Sequence, residues 1–258
     1  MRKVFLQKLK TLINYKARMK YLFSILVITI LIVSCSKDNP TAKPIISTDY
    51  YPLKIGSWHI YDVDSIFYNN FTTPVTIDSA FYQVMEEITD TFYDLEGSLS
   101  YELKRFKRIG NDSINVENAK WNISDVWWVK NNKGNIERIE ENKIFVSLLN
   151  SIKEGVIWDG NAFNYIEPWD FEYASVGDDF GDYSNTVTVL QKQEDLDNVL
   201  LYQKYQEVFA KGVGLVSRTR INVESQGNQE SRGTVPVLER AEKGFQFFQR
   251  LNSYFIPE

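Results

Sequence analysis

Few side chains in this sequence are of types that do chemistry, and their spacing limits what each could do. His59 is the only histidine. With no second His and no Cys pair it cannot complete a zinc site of the His-Glu-x-x-His kind. It follows Trp58 at the head of an alternating run and is read as a surface residue pointing away from that Trp. Asp178, Asp179 and Asp182 surround Gly181. Oxygen donors of this kind suit Ca2+, but an EF-hand loop spaces its acids at alternating positions, so the segment is read as an acidic turn. Gly212-Val213-Gly214 lacks the third Gly and the Lys-Ser/Thr pair of a phosphate-binding loop. It reads as a bulge or close backbone approach before a strand. No Gly-x-Ser-x-Gly elbow is present, and carboxylate pairs of the type used in glycoside hydrolysis arise in any chain with 34 acids. No catalytic residue, metal ligand or cofactor is assigned, and a non-enzymatic role is expected.

Cys35 is the one residue whose surroundings specify a reaction. It is the only Cys in the chain. Residues 22–33, twelve in all, contain only Ser24 and Thr29 as polar groups, which is the length of a signal-peptide apolar region and short of the ~20 residues of a membrane span. Seven basic residues and no acid precede that run, and Met19-Lys20-Tyr21 would itself open a compact signal. Ile32-Val33-Ser34-Cys35 resembles the lipobox of bacterial lipoproteins, although Val33 is bulkier than the usual residue there. That resemblance implies a diacylglyceryl group on the Cys35 thiol and signal cleavage after Ser34. Two or three acyl chains, at ~0.8 kcal/mol per buried CH2, anchor a protein stably where one does not. Ser36 after the Cys implies the outer membrane, and Lys37-Asp38-Asn39 partly resembles the acidic stretches that send Bacteroidota lipoproteins to the cell surface.

Cleavage would leave 22 basic against 34 acidic residues, a net charge of −12. Phosphate contacts require a basic footprint, so a nucleic-acid partner is excluded. Anionic lipid would repel such a domain, leaving the acyl chains to make the membrane attachment. The expected organisation is a signal peptide over 1–34, a lipidated Cys and flexible tether over 35–49 marked by Pro40 and Pro44, and a single β-rich domain over 50–258. A domain of that size buries roughly 70% of its surface without needing a disulfide.

The elements that would position any site are strands. From Trp58 to Tyr68, Tyr61, Val63 and Phe67 share one face. From Val75 to Tyr93, Tyr82, Val84, Ile88 and Phe92 fall in phase, with Glu86 and Asp90 interrupting. Residues 99–109 repeat Leu99, Tyr101 and Leu103 at period two. Asn131-Asn132-Lys133-Gly134-Asn135 is a hairpin signal between 126–130 and 136–139, because Asn and Gly tolerate positive φ. Residues 143–149 fit a strand or a short helix. Further strands are expected over 185–192, 199–208 and 213–223, the first two joined through 194–198. A polar loop follows over 226–233, then a helical turn within 235–243. Over 244–254, Phe245, Phe247 and Leu251 lie on one side. Aromatic residues, 16 Phe, 15 Tyr and 6 Trp, favour pleated surfaces. The fold class is all-β and mainly antiparallel, as a curved sheet, open barrel or sandwich, after an N-terminal signal helix.

Three segments, 52–58, 153–161 and 210–216, resemble recurring features of uncharacterised Bacteroidota lipoproteins. That resemblance implies an envelope address and a β-rich domain, with no activity to carry over. Trp121, Trp127, Trp128, Trp158 and Trp169 are candidates for stacking on a glycan or an apolar ligand, or for filling the core. One of Trp127 and Trp128 is expected to be exposed. Asp64-Ser65-Ile66, Asp78-Ser79-Ala80 and Asp112-Ser113-Ile114 resemble Bacteroidota O-glycosylation sites, making Ser65, Ser79 and Ser113 candidates. The leading expectation is a lipid-anchored binding or display module whose protein partners the sequence does not specify. The alternative is a carrier holding an apolar ligand in a lipocalin-like or half-barrel cavity, and an unrecognised carbohydrate-active enzyme comes third.

Overall fold

Strands whose apolar residues recur at every second position can bury that face by curling it inward. The computed structural model describes residues 45–111, 114–193, 200–225 and 235–258, and they do this on a large scale. The first half supplies β1 (Trp58–Asn69), β2 (Thr76–Tyr93), β3 (Leu99–Arg108), β4 (Asn122–Asn132), β5 (Asn135–Glu140) and β6 (Lys143–Leu148). The second supplies β7 (Ile157–Asp159), β8 (Asp170–Phe180), β9 (Tyr183–Gln193), β10 (Leu201–Ala210), β11 (Gly214–Glu224) and β12 (Lys243–Phe255). All twelve form one antiparallel sheet in the order β6-β5-β4-β3-β2-β1-β12-β11-β10-β9-β8-β7. The first and last strands pair in its middle, from Trp58 opposite Phe255 to Tyr68 opposite Gly244. Successive hairpins run outward from that join in both directions, and the sheet curls into a nearly closed barrel. The expectation of an all-β, antiparallel fold holds, in its barrel form rather than as a sandwich.

The barrel closes at a seam between β6 and β7, and side chains do much of the closing. Unpaired strand edges carry free N–H and C=O groups that invite other chains. Here Val146 N–H donates to Gly160 O at 2.8 Å, and the Trp158 indole N–H donates to Val146 O at 2.7 Å. Asn164 imitates a strand residue: its carboxamide oxygen accepts from Ile144 N–H at 2.9 Å and its NH2 donates to Ile144 O at 2.8 Å. Tyr173 OH meets both the N–H and the C=O of Leu149.

One end of the barrel is filled. Residues 45–57 cross it, with Gly212 N–H bonded to Asp49 O at 2.6 Å, Ser47 N–H to Asn150 O, and Ile152 N–H to Ile45 O. Tyr50 of this segment is itself buried, and Tyr61, Phe171, Tyr173 and Phe209 are buried behind it. A second, smaller cluster lies outside the wall, where the helical turn Val237–Arg240 sets Val237 beside Ile221, Val223 and Tyr68.

Several local details differ from the pattern expected of the sequence. Phe92 does not share the inner face with Tyr82, Val84 and Ile88. A bulge between Ile88 and Asp90 reverses the alternation, so Phe92 emerges outside, edge-on to Trp128 at 6.4 Å. Glu86 does not interrupt the inner face but belongs to it. Residues 143–148 are a strand, and the turn at Lys133 and Gly134 has the positive φ values expected, 53° and 93°. β7 and β8 were not anticipated, because the acids of β8 masked the alternation of Phe171 and Tyr173. The signal helix, the 194–198 connection and the 226–233 loop lie outside the described residues.

If Asn164 closes the seam, Asn164→Ala should lower unfolding free energy by about 1–2 kcal/mol. It should also accelerate hydrogen exchange at the Ile144 amide while leaving Val63 in β1 at the global rate. Unchanged exchange at Ile144 would show that the seam is held without it.

Candidate functional site

The interior of a β-barrel widens with strand number, and about eight strands already leave room only for side chains. Twelve enclose more space than the filled end occupies. At the other end a cavity of about 750 Å³ remains, within the ~300–1,000 Å³ range of small-molecule sites. Its apolar wall comes from Phe67 of β1, Tyr82 and Val84 of β2, Trp127 of β4, and Phe245 and Phe247 of β12. Arg105 and Lys107 of β3, Asp125 of β4, Glu140 and Glu141 at the end of β5, and Arg218 and Arg220 of β11 also line it.

The floor is an ionic network crossing the barrel. Glu207 of β10 is fully buried, and one carboxylate oxygen accepts from Arg138 Nη2 at 2.9 Å and from Arg218 Nε at 2.7 Å. Arg138 also pairs with Glu140, and Arg218 Nη2 lies 3.7 Å from Glu140 Oε1. Burial alone would raise the Glu207 carboxyl, but the Arg138 and Arg218 guanidiniums outweigh it and hold its pKa at about 2. Glu140 is likewise lowered: burial opposes the shift, and Arg138 and then Arg218 outweigh it. Both carboxylates are therefore ionised. Arg138, Arg218 and Arg220 face these two, so this side of the cavity carries one excess positive charge. Arg220 is half-buried, its Nε is enclosed without a partner, and among the described residues it makes no ion pair. Burial first, and then Arg218 beside it, lower its pKa.

A second group stands on β2 to β4. Arg105 bonds Glu86 at 3.0 Å, reaches Asp125 at 3.5 Å, and stacks 3.8 Å over the Trp127 ring. The Trp127 indole N–H is buried without an acceptor. Lys107 Nζ sits 3.7 Å over the Tyr82 ring.

The residues singled out by sequence scatter. His59 is not the surface residue expected: it is half-buried, its Nε2 donates to Val213 O at 2.7 Å, and it stacks between Tyr61 and Tyr254. Burial lowers its pKa, consistent with a neutral ring fixed in structure. Gly212 and Gly214 have φ of 74° and 110°, and a Cβ on Gly214 would only reach ordinary contact with the His59 ring at 3.4 Å, so the positive φ values rather than a close approach call for glycine here. Asp178 belongs to β8 while Gly181 and Asp182 turn into β9. Among the described residues no group of three His, Cys, Asp or Glu could hold a metal ion. Of the adjacent tryptophans, Trp127 faces the cavity and Trp128 is half-buried on the outer wall. Trp158 and Trp169 pack at the seam, and Trp121 lies under the Arg108 guanidinium at 4.3 Å. Ser65 lines the cavity, whereas Ser79 is exposed opposite Ile66. Ser34, Cys35 and Ser113 lie outside the described residues. Sequence reasoning missed Arg138, Glu140, Glu207, Arg218 and Arg220. Their signal was present, since Gln203, Tyr205, Glu207 and Phe209 alternate in register with Arg218 and Arg220.

No family model, curated protein or solved structure matches this chain. The outer wall is charged: Asp64 pairs with Arg250, and Glu102 with Lys104. A bilayer-spanning barrel needs an apolar outer band there. Among the described residues, no helix is long and apolar enough to cross a membrane.

Removing the bridging carboxylate leaves buried guanidiniums unpaired, a change that typically costs about 3–5 kcal/mol. Glu207→Gln should therefore reduce stability at neutral pH by about that much. Because the folded-state pKa is depressed from 4.5 to about 2, the contribution is complete above the ordinary carboxylate range and is lost as pH falls toward 2. The variant should accordingly flatten the acid limb of stability against pH in chemical denaturation. An unaltered acid limb would mean that Glu207 does not carry this dependence.

Proposed function

We propose that this protein is a binding protein of the cell envelope, fixed to the outer membrane through lipid on Cys35, that carries a partly apolar small molecule in the mouth of its barrel. The observation that carries the reading is the cavity of about 750 Å³, walled by aromatic rings and floored by charges. Small-molecule sites combine an apolar lining with a few convergent polar groups, and this lining has that character. A display module has no need of an open interior, and the carrier reading accounts for one.

Native mass spectrometry of the full chain, released from detergent in the gas phase, tests it. The expected spectrum shows a discrete non-covalent adduct that disappears on denaturation and returns after incubation with envelope lipid extract. A bare protein mass after that incubation would end the carrier reading. The anchor is tested separately: Cys35→Ser should abolish the acyl mass increments and move the protein into the aqueous phase of a detergent partition. A wild-type protein without acyl increments would remove the lipid attachment.

A further inference from the structure

Resting on the carrier reading, we infer that the molecule held in the cavity bears a single negative charge, a carboxylate or its equivalent, and that Arg220 is the residue that receives it. Arg138, Arg218 and Arg220 gather beside only two carboxylates, those of Glu140 and Glu207, and these already engage Arg138 and Arg218. Arg220 reaches the cavity wall with no ion pair among the described residues and with its Nε buried and unbonded. Arg220 as a whole is half-buried, so the cost falls on its enclosed, unbonded Nε, and a bound anion would offset it.

The other acids of the cavity do not fill the role. Asp125 and Glu86 are committed to Arg105, and Glu141 is exposed at the rim. One further donor points the same way. Trp127 Nε1 is buried without a hydrogen-bond acceptor, and the residue lines this cavity, whereas Arg218 Nη2 already faces Glu140 Oε1 at 3.7 Å. Two donors without acceptors on the wall of one cavity favour an acceptor-only group, as an ionised carboxylate is. Phe67, Tyr82, Phe245 and Phe247 offer flat apolar surface to the remainder. The ligand class is therefore an amphipathic or aromatic monoanion. A cation would stand against Arg220, and a neutral molecule would leave it unpaired.

Naphthoate, naphthamide and naphthylmethylammonium share one apolar body and differ in charge. Their binding to the full chain in amphipol is read by calorimetry and by Trp fluorescence. Naphthoate should bind at least about tenfold more tightly than naphthamide, the range of a charge-assisted hydrogen bond, and the ammonium should bind least. Arg220→Met keeps bulk and removes charge. It should bring naphthoate and naphthamide within about twofold of each other, and it should raise the melting temperature of the unliganded protein by deleting an unpaired cation. Trp127→Phe, which keeps an aromatic ring beneath Arg105, should weaken naphthoate by a few-fold and naphthamide, whose neutral carbonyl is the poorer acceptor, by less, and it carries the test if Arg220→Met does not fold.

Equal affinity for naphthoate and naphthamide in the wild type overturns the anion site while leaving a carrier of neutral ligands. An anion preference undiminished in Arg220→Met overturns the assignment to that residue. Binding of none of the three probes, with a bare mass in the native spectrum, overturns the carrier reading as well.

Discussion

Circumference is the constraint on which the rest of this molecule depends. A sheet of twelve strands that curls on itself encloses more volume than its own inward side chains can fill. Three things occupy that volume. Large aromatic side chains and the 45–57 segment occupy one end, a network of long charged side chains spans the middle, and the far end is left open. The cavity is thus a consequence of strand number before it is a feature of any particular residue. Its chemistry is then set by which inward positions were given charge.

The middle layer explains how so wide a barrel holds its shape. Arg138 of β5 and Glu207 of β10 lie five strand steps apart around the seam side of the sheet, yet they bond directly across the interior. Arginine and glutamate have the reach for this, and Val or Leu do not. Buried ion pairs often contribute little net stability relative to well-packed apolar residues, because desolvation offsets the attraction. Their value here is geometric: a planar guanidinium with fixed donors defines the separation between facing walls more sharply than apolar contact does. The same layer separates a dry end from an open one. Tyr51 and Tyr61 close it from below, and burial raises both phenol pKa values, so both stay neutral.

Much of the fold was legible because a strand advertises itself by alternation. Tyr61 with Val63, Leu103 with Tyr101, and Phe245 with Phe247 and Leu251 all fell on the inner face as their spacing indicated. Failures came where one physical effect hid another. The bulge at Ile88 to Asp90 inserts a residue and reverses parity, so Phe92 went to the wrong side; no periodicity rule sees a bulge. β8 was overlooked because its solvent-facing acids outweigh its two inward aromatics. The candidate site was harder for a deeper reason. An inward charge looks, in sequence, like a break in an apolar stripe, as Glu86 did. Only the pairing of strands shows that Glu207, Arg218 and Arg138 break their stripes at the same level of the barrel. His59 misled in the opposite direction: a lone polar residue beside Trp58 suggested solvent, while the Val213 carbonyl across the sheet gave it a buried partner.

Placing charge inside and outside one wall has a consequence for selectivity. The outer face keeps its ions in water, where pairs such as Asp64 with Arg250 contribute at most about 1 kcal/mol. The inner face holds the same residue types away from bulk water, where a locally unpaired charge is strongly felt. On the carrier reading, such a cavity would discriminate less by shape, since its walls are aromatic and its mouth is open, than by the sign of the group brought to Arg220. Apolar rings would supply general affinity to many molecules. The half-buried guanidinium would supply the difference between them, because a ligand that fails to neutralise it leaves the cost of its enclosed Nε in place. Narrow selection by charge combined with broad tolerance in the apolar body suits a protein that collects a class of molecules rather than one compound.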